Sequence, residues 1–119
     1  MNRRAPIAAV TSAALLSVAM SPALGSARAD AVAYLVNVTV RPGFSFANTD
    51  AALAYGQGIC GEVAQGRAYA DVLGNVKSDF DNPDEYQASY LVVQAVNELC
   101  PSLIWQLRNS AARYRPPTT

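Results

Sequence analysis

Cys60 and Cys100 are the only two cysteines in the chain. Each stands near the end of an apolar stretch with helical spacing. A bond between them ties two distant segments together and restricts every fold open to the chain. Whether that bond forms depends on the compartment, and the N-terminus speaks to the compartment.

Arg3 and Arg4 form a short positive head, and Ala5 to Ala27 carries no charge. This stretch contains the mostly apolar run from Ile7 to Met20, then helix-breaking Pro22 and Gly25, then Ala27-Arg28-Ala29. Small residues fill the two positions that a signal peptidase reads. That is the anatomy of a Sec-type secretory signal peptide, with cleavage expected after Ala29. An uncleaved anchor is the competing reading, because the uncharged stretch is long enough to span a bilayer. It is, however, built largely of alanine, serine and threonine and is interrupted by Pro6 and Pro22. Asn2 and Ala5-Pro6 fit the twin-arginine route poorly, and no cysteine at the junction suggests a lipoprotein.

The expected layout is a leader over 1–29, one domain over 30–115 and a tail over 116–119, with the domain secreted or held at the cell envelope. The 90 residues from Asp30 onward suffice for one modest core. The leader takes three arginines with it, leaving six basic residues against nine acidic ones, a net charge of about −3. Such a domain is poorly suited to displacing counterions from nucleic acid. It also lacks the polybasic segment that anionic membranes attract. After export both cysteines meet an oxidising environment, where small domains rely on disulfides. A Cys60–Cys100 bond is therefore expected, worth roughly 4 kcal/mol by loop-closure entropy. Two free buried thiols are the alternative. Neither cysteine has a companion at metal-ligand spacing, so no zinc site is expected.

Residues 30–40 are ambiguous. Val32, Tyr34, Val36, Val38 and Val40 alternate like a half-buried strand, and β-branched residues favour that state. Tyr34, Leu35 and Val38 also share one side of a short helix, and Arg41-Pro42-Gly43 ends either element. Phe44 to Asn48 reads as a linker with two aromatic anchors, Phe44 and Phe46. Asn48, Thr49 or Asp50 can cap the next helix, whose inner face is Ala52, Gly56, Ile59, Cys60 and Val63 and which Gly66 stops. Gly56, Gly58 and Gly61 weaken this helix, and their expected use is close approach by a neighbour.

Tyr69 to Val76 forms a third segment facing inward through Tyr69, Val72, Leu73 and Val76. After a turn at 79–82, Pro83 suits the first position of a fourth helix, with Asp84 and Glu85 in its first turn. Val92, Val93, Val96, Leu99 and Cys100 form the expected buried stripe of that helix, and Pro101 ends it. Ser102 to Tyr114 reads as a last amphipathic helix with Ser102 as cap.

Several residues in this order form a pattern: Tyr34-Leu35, Gly43, Asp50-Ala51-Ala52-Leu53, Gly56-Gln57-Gly58-Ile59-Cys60, Gly66, and Ala88 through Leu99-Cys100-Pro101. The pattern resembles the small exported mycobacterial proteins of the domain-of-unknown-function 732 family, over roughly Asp30 to Pro101. The resemblance implies an all-α fold, a small bundle of about four to five short helices with one disulfide. It brings no activity and no catalytic residues, and it turns residues 30–40 towards helix. The valine alternation there departs from the family's opening segment, and the extension beyond Cys-Pro is longer than usual.

The chain has no histidine, which removes Ser-His-Asp and Cys-His nucleophiles and the usual zinc sets. No phosphate-cradling loop appears, since Gly56-Gln57-Gly58 has no strand before it. Asp79, Asp81, Asn82, Asp84 and Glu85 offer oxygen ligands for calcium, but Pro83 falls among them and no glycine supplies the sharp turn. A solvated turn is the expected reading. Tyr55, Tyr69, Tyr86 and Tyr90 are the candidate lining of a cleft for a small apolar ligand, and a tyrosine can also ligate haem iron. More often such residues bury the ring and expose the hydroxyl. Leu103, Ile104 and Trp105 are the candidate contact surface, against the alternative that they dock on the core. The sequence thus points to a non-enzymatic binding or interaction module without cofactor or metal, acting on an unknown protein. A carrier of an apolar ligand is the second reading.

Overall fold

Residues 23–40, 43–82 and 84–117 are described by a computed structural model. The valine alternation of the first segment resolves into a helix, α1 (Ala23–Thr39). Tyr34 and Val38, one turn apart, are fully buried, whereas Val32, Val36 and Val40 form an exposed row on the opposite side. A strand in the same place would bury all five together. The helix also crosses the Ala29–Asp30 junction; residues 1–22 of the expected leader lie outside the described residues.

Helix α2 (Thr49–Ala64) starts where Asn48 accepts a hydrogen bond from the Ala51 amide at 2.8 Å. Its buried face is the expected one. It ends in a Schellman turn: Arg67 N–H reaches Glu62 O and Gly66 N–H reaches Val63 O, with Gly66 at φ +86°. Helix α3 (Tyr69–Asp79) ends the same way, through Asn82 N–H to Lys77 O and Asp81 N–H to Ser78 O. Here Asp81 takes the left-handed position, at φ +48°.

Helix α4 (Glu85–Leu99) begins two residues after Pro83. Asp84 is its cap, not a first-turn residue, and accepts from the Tyr86 and Gln87 amides. The buried stripe is Ala88, Leu91, Val92, Ala95 and Val96, one step round from the expected one, so Val93, Leu99 and Cys100 are only partly covered. Pro101 to Leu103 forms a 3-10 turn that leads into α5 (Ile104–Ala111). Ser102 lies within that turn and caps nothing.

Helix α4 is the centre of the bundle, packed against α1, α2 and α3, and α5 closes it against α3. The Cys60–Cys100 bond is formed and joins α2 to the end of α4. Among the described residues there is no strand. Over these residues the fold is an all-α bundle of five helices with one disulfide.

Candidate functional site

The tyrosines turn out to hold helices together. Tyr34 Oη donates to Ala52 O at 2.9 Å, and burial pushes its pKa up to about 12. Tyr69 Oη donates to Ser89 Oγ, and Tyr90 Oη donates to Asn37 O. Tyr55 Oη donates to Asp79 Oδ2 at 2.8 Å; burial, then the hydrogen bond to that carboxylate, raise its pKa. The four residues of the expected cleft are therefore not brought together. Tyr86 and Tyr90 flank a shallow groove of about 200 Å³ on α4, Tyr69 is buried in the core, and Tyr55 lies between α2 and α3. Helical spacing alone does not say which helix each ring will meet.

Tyr55 and Asp79 border an open groove of about 370 Å³ whose floor includes Gly58 and Ile59. Asn75 donates to Glu62 across it at 2.6 Å. One end of this groove abuts a cluster of four rings that pins the α1–α2 linker. Phe80 lies 5.4 Å from Phe44, 5.5 Å from Phe46 and 5.1 Å from Tyr55. The linker phenylalanines are legible in sequence as anchors; their target, Phe80, is hidden in a polar turn.

The acidic run is occupied with ending one helix and starting the next. Asp79 accepts from Tyr55, Asp81 takes the left-handed turn position, Asn82 accepts from the Asp84 amide, and Asp84 caps α4. Glu85 pairs with Lys77 and accepts from Tyr114 Oη at 2.8 Å. Among the described residues no group of three or more acidic or cysteine side chains is arranged to hold a metal ion.

Where the 3-10 turn runs into α5, the three contact candidates part company. Leu107 is buried, and Leu103 and Ile104 pack partly against the core. Trp105 is 68% exposed, with the Arg108 guanidinium 5.4 Å from its ring centroid. Gln106 Nε2 donates to Val63 O, and Ser110 Oγ accepts from the Tyr69 amide at 3.1 Å, so α5 is fastened to the end of α2 and the start of α3. Beside that seam runs an open groove of about 560 Å³ lined by Gln106, Asn109, Arg113 and Tyr114 from the α5 side. The Tyr114 ring stacks edge-on against Tyr69 at 5.1 Å, anchoring the chain after the helix ends.

A family model described as a protein of unknown function (DUF732) matches residues 28–102. The chain belongs to that family. No curated protein and no solved structure matches it. The match takes in both cysteines of this DUF732 chain and ends at Ser102, so α5 with Trp105 lies beyond it. No described helix is long and apolar enough to cross a membrane.

Proposed function

We propose that this DUF732 chain is an exported, non-enzymatic interaction module. It works at the cell envelope or outside the cell after cleavage behind Ala29, and α5 is the surface that meets its partner. The observation that carries the reading is Trp105. Its neighbours Leu103, Ile104 and Leu107 cover the core, while the indole stays in solvent under a guanidinium. Tryptophan and arginine are among the residue types enriched at the few positions that dominate binding energy at protein interfaces. The absence of histidine from the sequence and the engagement of both cysteines in a disulfide support a role without catalysis. A carrier role receives less support, because the grooves are open and the tyrosines are spread over three places.

The test compares oxidised protein with Trp105→Ala as immobilised baits for culture-filtrate and envelope proteins. A partner kept by the first and lost by the second is expected. Retention that ignores the substitution would remove α5 from the account.

A further inference from the structure

We infer that the α5 surface docks an acidic protein segment, its carboxylates held by arginines around Trp105; this rests on the reading of α5 as the partner surface. The charges are segregated along the chain. All nine acidic residues lie at or before Glu98, whereas residues 99–119 contain Arg108, Arg113 and Arg115 and no acid. Arg67 lies in the α2–α3 loop, between Val63 and Tyr69, the residues that Gln106 and Ser110 of α5 hold. The one ion pair among the described residues is Lys77–Glu85, so none of these four arginines has a carboxylate partner. The acid-free C-terminal segment thus carries arginines with no carboxylate partner, Arg108 against the Trp105 ring and Arg113 in the groove along α5.

The groove along α5, which takes in Asn109 one turn from Trp105, has the same character. Arg113 and the amides of Gln106 and Asn109 line its α5 side. Its other side is the start of α3, where Ala68 offers no capping side chain and the helix dipole is positive. Asp71 in the first turn of α3 is the single carboxylate on that element's opening turn. Guanidinium forks match carboxylates in two-point contacts, and the indole supplies apolar area that a free anion does not use. A long polyanion is disfavoured, since the net charge of about −3 on the domain repels it beyond the local patch. A short acidic segment with apolar residues fits both the charge and the ring.

Trp105 is the only tryptophan in the chain, so its emission reports on this surface directly. The probe is a peptide of alternating glutamate and leucine, titrated into purified oxidised protein at low and high salt. The expected result is a saturable change in emission that weakens as salt rises. Arg108→Glu with Arg113→Glu should weaken binding about tenfold or more, with helicity unchanged. Arg108→Lys with Arg113→Lys should fall between, because charge remains and the fork is lost. An equal response to a glutamine–leucine peptide, or binding indifferent to the charge reversal, overturns the inference. So does stronger binding to phosphatidylglycerol vesicles, which makes the occupant a membrane. Self-association abolished by the charge reversal also overturns it, by making the occupant a second copy. If the acidic peptide fails while a partner is still lost with Trp105→Ala, this inference falls and the interaction reading stands.

Discussion

Gly56 and Gly58 lie two residues apart in α2, yet a methyl group added to each meets opposite surroundings. At Gly56 it would come within 2.6 Å of Leu99 Cδ1 and 2.7 Å of Tyr34 Cζ, where α1 and α4 close on α2. At Gly58 and Gly61 it would meet nothing within 4 Å. Close approach, expected of all three glycines, holds for Gly56 alone, because periodicity locates a face but not the distance to the next helix. Gly56→Ala should therefore cost about 1–3 kcal/mol through overpacking. Gly58→Ala and Gly61→Ala should each add about 0.5–1 kcal/mol through helix propensity. Denaturant melts of the oxidised protein check all three, and a stabilising Gly56→Ala would contradict the packing described. Tyr34, pressed against the same glycine, gives a second prediction. Its folded pKa of about 12 exceeds the ordinary 10.0, so between these values the unfolded chain loses a proton that the folded one keeps. Stability is thus intact below about pH 10 and falls as pH rises towards 12. Tyr34→Phe should flatten that fall without abolishing it, since Tyr55 is raised as well. Melts at stepped alkaline pH measure the slope, and equal slopes in both proteins would exclude Tyr34 as its source.

Among the elements, α2 and α3 were legible to the residue on their inner faces, because the residues that recur at helical spacing there fall on one side. Helix α4 was not, since it is apolar on more than half its circumference. Counting the valines favoured Val93, whereas Leu91 and Ala95 align with Val92 and Val96 over the neighbouring helices. For α1 the pattern fitted two periods, and only tertiary packing of Tyr34 and Val38 separated them. The linker between α1 and α2 holds its place through rings. Phe80 touches three of them from the end of α3, so Phe80→Ala should cost about 2 kcal/mol, less than for a fully buried phenylalanine. Phe80→Leu should recover part of this by restoring apolar area without the edge-to-face geometry. Thermal melts give the cost, and amide exchange should show the lost protection concentrated at the start of α2. Exchange that rises evenly over all helices would instead assign Phe80 to the general core.

At the scale of the whole molecule, the cysteine pair carries the most information per residue in this sequence, and the structure closes it as expected. The bond spans 40 residues, from α2 to the residue after α4, and encloses all of α3. Loop-closure entropy assigns it about 4 kcal/mol. A domain of this size has a total stability of only about 5–10 kcal/mol. The sequence around Trp105 was less telling, since an apolar triplet does not reveal which member reaches the core. That depended on α5 starting at Ile104 after a 3-10 turn, which rotates Leu107 inward and Trp105 out. Cys60→Ser with Cys100→Ser should then remove close to half the stability and lower the urea midpoint accordingly. The slope of the transition should rise, because the unfolded chain without its tie exposes more surface. Since α5 packs on α3 and α3 on α4 without the bond, the melt should remain a single transition seen equally by far-ultraviolet dichroism and Trp105 emission. Two separated transitions would show that α5 is held by the disulfide alone, against the contacts of Leu107, Gln106 and Ser110 that fasten it here.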